Sequence, residues 1–257
     1  MSLANKGIWV TRPLPQGNNI SRLIRENGGK AFVFPVLEIQ PPNDVIAFER
    51  SLRNISQYDI VILVSLSAVN SFAAALGRLG LRIPDSVEVA VMGKRSAEEC
   101  ERHSITVKYL PNSSMDSEGL LREFLSVDLN QKKVMIVRGQ SGRELLRDEL
   151  SLKGASIHYA YAYRRSVTQQ SPEALVHQWH NGLINGVVVT SNSIVDGALA
   201  LLGKHAVLFK KTPIITISHR ISNYCRDKGV FSSIHVANSP SDEDVLQCLI
   251  DSQTESI

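Results

Sequence analysis

The sequence predicts an α/β fold of two similar lobes, each flavodoxin-like or Rossmann-like and built on a parallel sheet. Two observations carry that prediction: the chain repeats itself at one nearly constant offset, and short apolar runs alternate with helix-patterned stretches. NKGIWVTRPLPQGNNISRLIRENGGKAFVF is similar to KKVMIVRGQSGRELLRDELSLKGASIHYAY, which sets Arg12 on Arg138 and Gly28 on Gly154, an offset of 126. VILVSLSAVNSFAAALG is similar to VVVTSNSIVDGALALLG, with Ser65 on Ser191 and Ser67 on Ser193 at the same offset. VAVMGKRSAEECERHSI pairs with IITISHRISNYCRDKGV through Arg95 and Arg220, an offset of 125. PNSSMDSEGLLREFL pairs with ANSPSDEDVLQCLI through Asn112 and Asn238, and Asp116 and Asp242. Four blocks in register imply a duplicated unit of ~125 residues, a normal domain size and far longer than a solenoid period.

The elements follow in order. The first copy offers the strands GIWVT, AFVF, DIVILV, EVAVM and TVKYL. The second offers KVMIVR, SIHYAY, GVVVT, PIITI and SIHVA. Most are continuous apolar runs, the pattern of strands buried on both faces. Between them lie amphipathic stretches such as SGRELLRDELSLKG and SAVNSFAAALGRLG, the latter closing on a glycine as helices often do. Strand alternating with helix means parallel sheets joined by right-handed crossovers.

Two domain divisions are open to the periodicity. A simple tandem cuts near residue 126, inside FLSVDLNQKK. The alternative cuts at FPVLEIQPP and again at YAYRRSVTQQSP, both extended-looking and both running into proline, which disfavours helix. These two segments occupy equivalent places in the repeat, with Phe34 on Ala160 and Leu37 on Tyr163. In that second division one domain is discontinuous and the two segments are paired linkers.

Composition narrows the class. Hydrophobic residues at 43% and charged residues at 21% are those of a globular protein, which excludes wholesale disorder, collagen and coiled coil. A net charge of +3 is too small to imply nucleic acid, yet it suits an anionic small molecule. No signal-peptide pattern precedes Arg12 and Pro13, and no run is long enough to span a bilayer, so no membrane partner is expected. Cys100, Cys225 and Cys248 are an odd set without CxxC spacing. Three free thiols in a reducing cytoplasm are expected, with neither a disulfide framework nor a metal site.

In parallel α/β sheets ligands bind beyond the carboxyl ends of the strands. The residues expected there are Thr11-Arg12-Pro13, Ser65-Leu66-Ser67, Gly93-Lys94-Arg95-Ser96, Arg138-Gly139-Gln140-Ser141-Gly142-Arg143, Thr190-Ser191-Asn192-Ser193 and Ser218-His219-Arg220. They are mostly hydroxyl residues, glycines and arginines, and several open helices, where free N–H groups and the dipole attract anions. The plain alternative is that each serine or threonine is an N-cap. RGQSGR lacks the third spaced glycine of a dinucleotide fingerprint and the GK[ST] ending of a P-loop. HExxH, GxSxG and acidic clusters of metal-like spacing are missing, and His219 is the one histidine at a strand end. Any chemistry must then come mainly from binding, orientation and electrostatics.

The ordered set of TRP near the N-terminus, SLSAV, IVRGQSGRELLRDEL, GA before a strand ending in YRR, VVVTSNS and ISHRISNYCRDKG resembles the uroporphyrinogen-III synthase family across essentially the whole chain. The resemblance implies two α/β lobes joined by a two-stranded linker. Residues 1–35 plus 168–257 would form one lobe, 41–159 the other, with linkers 36–40 and 160–167 and a ligand cleft between the lobes. It implies a cyclising hydro-lyase of porphyrin and haem biosynthesis. Hydroxymethylbilane loses water, the cation formed is attacked at the substituted carbon of the last ring, and a spiro intermediate reopens and closes with that ring inverted. No cofactor is implied. A monomer is expected, and transient contact with the preceding pathway enzyme is left open.

Residues implied for substrate binding are Thr11, Arg12, Ser65, Gly93, Ser96, Arg138, Gly139, Gly142, Arg143, Thr190, Ser191 and Ser218. The family's linker tyrosine matches Tyr163, which gives Tyr163 the role of proton donor to the leaving hydroxyl. Its place also breaks the repeat, since its partner is the apolar Leu37. A phenol carries its proton at neutral pH and can donate it without tuning. A tyrosine that merely packs its ring is the alternative, with Tyr159 and Tyr161 close by. The competing function is a two-lobed binding protein for an anionic small molecule, with the linkers as hinges.

Overall fold

The computed structural model describes residues 3–13, 15–112, 114–140 and 144–252. The chain divides into two compact units: one runs to Glu38 and resumes at Ser166, and the other is Ile39–Arg165. The crossings fall within the segments 36–40 and 160–167.

The discontinuous unit opens with β1 (Gly7–Val10), α1 (Asn18–Glu26) and β2 (Lys30–Val33). The chain passes through β3 (Leu37–Gln40) into the second unit, with α2 (Val45–Arg53), β4 (Ile60–Leu63), α3 (Leu66–Leu79), β5 (Glu88–Val91), α4 (Lys94–Arg102) and α5 (Ser117–Glu123). That unit closes with β6 (Lys133–Gly139), α6 (Leu145–Leu152) and β7 (Ser156–Val167). The first unit then completes itself with α7 (Glu173–His180), β8 (Gly186–Val189), α8 (Asn192–Leu202), α9 (Ala206–Lys211), β9 (Ile214–Thr216), α10 (His219–Asp227), β10 (Ile234–Val236) and α11 (Asp242–Asp251).

The first sheet has the order β10-β9-β8-β1-β2 and the second β3-β7-β6-β4-β5. The pairs β2–β1, β1–β8, β8–β9 and β9–β10 are parallel, as are β7–β6, β6–β4 and β4–β5. Equivalent strands of the repeat occupy equivalent places: β9-β8-β1-β2 in one sheet answers β5-β4-β6-β7 in the other. Each sequence copy therefore gives its first two strands to one unit and its remaining strands to the other.

Both faces of each sheet are covered, which is why the strands read as unbroken apolar runs. On β1, Trp9 packs with Val187, Val189 and Ile214 on one face, while Ile8 and Val10 join Val188, Ile215 and Leu249 on the other. On β4, Val61 and Leu63 pack with Met135 and Val137, while Ile60 and Ile62 pack with Val134 and Ile136. Gly28 and Gly154, matched by the repeat, both hold a positive φ where helix turns into strand. That left-handed turn strains any side-chain-bearing residue.

One sequence expectation for the strands is corrected. TVKYL makes only an isolated bridge between Tyr109 and Ala90. The N–H groups of Lys108 and Tyr109 both point at the Val89 carbonyl, so the ladder cannot advance, and Pro111 ends it. LEIQ, in the first segment of the expected two-stranded linker, is a strand hydrogen-bonded beside β7. Among the described residues no helix is long and apolar enough to cross a membrane, and no cluster of three metal-ligating side chains occurs. Cys100 and Cys225 are buried free thiols, and burial pushes both up to about 11.

Candidate functional site

In the second unit the crossovers leave β6 toward β7 and β4 toward β5, in opposite directions. The gap beyond the carboxyl ends of β6 and β4 is thus the topological switch point, where open α/β sheets bind ligands. Ser65 stands there as the N-cap of α3, its Oγ accepting the Ala68 N–H at 3.2 Å. The same Oγ meets the Tyr163 hydroxyl at 3.0 Å. Gly139 ends β6 beneath the Tyr163 ring, and the Gln140 N–H donates to the Tyr163 carbonyl at 3.1 Å. The Arg165 guanidinium lies 6.0 Å from the centre of that ring. Ser65, Gly139 and Tyr163, distant in sequence, form one contact set.

Arg138 departs from a plain surface anion ligand. It is 6% exposed, donates to Glu144 Oε1 at 3.1 Å and stacks over the Tyr159 ring at 4.7 Å. The Tyr159 hydroxyl donates to Glu144 Oε2 at 2.6 Å. That bond, with the arginines beside it, holds the Glu144 carboxyl below its ordinary range, while burial and the carboxylate push Tyr159 up to about 12. Gly93 caps α4 at the end of β5 without a side-chain bond, and Ser96, one turn on, is buried against the core. Gly142 and Arg143 lie outside the described residues.

In the first unit the switch point lies beyond β1 and β8. Thr11 is fully buried and its hydroxyl donates to the Val188 carbonyl at 2.6 Å, tying β1 to β8. Arg12 is ion-paired with Asp242, whose other oxygen accepts from Asn19 Nδ2 at 3.0 Å. Ser191 caps α8, its Oγ accepting the Ile194 N–H at 3.3 Å, and the part-exposed Thr190 precedes it. Ser218 occupies the N-cap position of α10 without a side-chain cap bond. Asn192 Oδ1 and Thr216 Oγ1, beside these strand ends, are buried polar atoms with no hydrogen-bond partner.

Sequence reasoning missed Asp242, Glu144 and Tyr159 as the partners that fix the two arginines. The repeat had matched Asp242 with Asp116, but nothing in the spacing links residue 12 to residue 242. Asn192 was noticed only as part of a hydroxyl-rich run.

Two flavodoxin-like units, each with hydroxyl residues and helix N-termini at its switch point, define a duplicated α/β protein. The chain belongs to the uroporphyrinogen-III synthase family: the family model described as uroporphyrinogen-III synthase HemD matches residues 18–247. It is 26% identical over 249 residues to the uroporphyrinogen-III synthase of Salmonella typhimurium, covering 94% of this chain and 99% of that one. It is 30% identical over 200 residues to a putative uroporphyrinogen-III synthase of Methanothermobacter thermautotrophicus, covering 76% and 77%. Its fold is similar to a mutant uroporphyrinogen III synthase from the extremely thermophilic bacterium Thermus thermophilus, at 15% identity and a TM-score of 0.60, covering 97% of this chain and 99% of that one. The uroporphyrinogen-III synthetase of Helicobacter pylori is similar too, at 17% identity and a TM-score of 0.59, covering 98% and 99%.

Proposed function

We propose that this chain is a cyclising hydro-lyase that converts hydroxymethylbilane to uroporphyrinogen III without a cofactor. The observation that carries the reading is the Tyr163 hydroxyl set on Ser65 at the switch point of the second sheet, 3.0 Å away. Tyr163 gives its proton to the departing hydroxyl of the bilane, the C–O bond breaks and water leaves. The Ser65 O–H then donates to the phenolate oxygen. The azafulvene cation left behind is attacked at the substituted carbon of the last ring, the spiro intermediate fragments and recloses with that ring inverted, and the proton released as the pyrrole regains its aromaticity returns to the Tyr163 phenolate.

Holding the substrate falls to the strand ends. Its carboxylates are met by helix N-terminal N–H groups and hydroxyls at Ser65, Gly93, Thr190, Ser191 and Ser218, while Gly139, a strand residue, leaves room for the Tyr163 ring. Arg12 and Arg138 supply positive charge that Asp242 and Glu144 keep in place, with Thr11 and Ser96 as packing supports behind them. Tyr163 is 5% exposed, so its hydroxyl meets the bilane only after β7 shifts. The test is incubation with hydroxymethylbilane followed by separation of the porphyrin isomers. The ring-inverted isomer is expected at catalytic protein levels. Recovery of the uninverted isomer alone, at the spontaneous rate, would reduce the chain to a binder.

A further inference from the structure

We propose that Gly139, together with a bulge at Ala162, is the positioning device that lays the Tyr163 phenol on Ser65. This rests on the reading that Tyr163 is the proton donor. In the β6–β7 ladder Arg138 stands opposite Tyr161 and Gly139 opposite Tyr163, so β7 advances two residues while β6 advances one. A bulge of that kind re-aims the side chains beyond it. With strict alternation, Tyr163 would share a face with Tyr159 and Tyr161. Instead it packs in the core that contains Ala160 and Ala162, while Tyr159 packs against the opposite core and Tyr161 is 41% exposed.

Once turned to that face, the ring must cross the end of β6 to reach Ser65 beyond β4. Gly139 is what it crosses. A Cβ at position 139 would stand 2.9 Å from Tyr163 Cε2, 3.0 Å from Cζ and 3.3 Å from the hydroxyl oxygen. The backbone there needs no glycine, since Gly139 is ordinary strand and has no positive φ. The requirement is space for the ring, and the ring is the group that must give way. The other unit lacks the device. The repeat sets Pro13 in place of Gly139 and Leu37 in place of Tyr163, and keeps only the serine, as Ser191.

The experiment is Gly139→Ala in the full chain, read by kinetics, by tyrosine ring NMR and by melting. The expected kcat falls to the level of Tyr163→Phe with KM nearly unchanged, and adding Gly139→Ala to Tyr163→Phe lowers kcat no further. Such non-additivity marks residues acting through one group. In a sample carrying 13C at the tyrosine ζ carbons, the Tyr163 resonance, assigned by its loss in Tyr163→Phe, moves while the other five stay. Wild-type kcat with an unmoved resonance overturns the proposal. Should Tyr163→Phe itself keep wild-type kcat, the proton-donor reading fails, and the resonance alone still decides whether Gly139 places the ring. If Gly139→Ala folds poorly, the Tyr163→Ala background decides. Gly139→Ala costs no melting temperature there if the ring is what it strikes, and an equal loss in both backgrounds overturns the proposal.

Discussion

Tyr159, Tyr161 and Tyr163 lie within five residues of one strand and meet different surroundings. Tyr159 donates to Glu144 under the Arg138 guanidinium, Tyr161 faces solvent, and Tyr163 is bound to Ser65. Only the last stands at the switch point of the second sheet. Tyr163→Phe is expected to lower kcat by roughly 10²–10⁴, the usual worth of general-acid help, while leaving product affinity nearly unchanged. Tyr159→Phe is expected to do the reverse: kcat near wild type, and a loss of about 1 kcal/mol in stability for one hydrogen bond to a carboxylate partly open to water. Steady-state kinetics and thermal melts on the two variants separate these outcomes. The sequence pointed to Tyr163 because it broke the repeat and matched the family's tyrosine, but it left open that Tyr163, like Tyr159 and Tyr161, merely packs its ring. What distinguishes them is the bulge, and a bulge is a property of the ladder between two strands that no single strand's residue pattern contains.

Among the elements, the helices that open beyond the strands were legible because their caps are local. Ser65, Asp116, Ser191 and Ser241 each accept an N–H three residues on, a bond within one turn of chain. Ser218 holds the same kind of position and makes no such bond. The two serines of the first unit therefore behave differently under substitution. Ser191→Ala is expected to cost about 1 kcal/mol through the lost cap. Ser218→Ala is expected to leave the melting temperature within error, so a raised KM in that variant would mark its hydroxyl as a substrate ligand. An equal loss of stability in both would return Ser218 to an ordinary cap. An edge element was the illegible one. Thr106–Leu110 alternates and branches like a strand, yet its partner offers one carbonyl to two successive N–H groups.

For the whole molecule, the duplication was plain in the sequence while the exchange between its copies was not. Periodicity reports which residues are equivalent, and equivalent residues do not have to touch. Here β1, with β2 on its other side, pairs with β8 of the other copy, and β6, with β7 on its other side, pairs with β4 of the other copy. Every residue of the two cores of the second unit lies between Phe48 and Tyr163. A chain cut as residues 39–165 keeps both cores, four consecutive parallel strands and their helices. A chain cut at the repeat, as residues 1–126 or 127–257, separates β1 from β8 and β4 from β6, the central pairings of the two sheets. The fragment 39–165 is therefore expected to melt cooperatively by itself, as a domain of that size should. Fragments 1–126 and 127–257 are expected to be unfolded or aggregated alone and to recover native circular dichroism only when refolded together. Cooperative melting of 1–126 alone as a monomer, with 39–165 unfolded, would mean that the sequence copies and not the exchanged units are the folding domains.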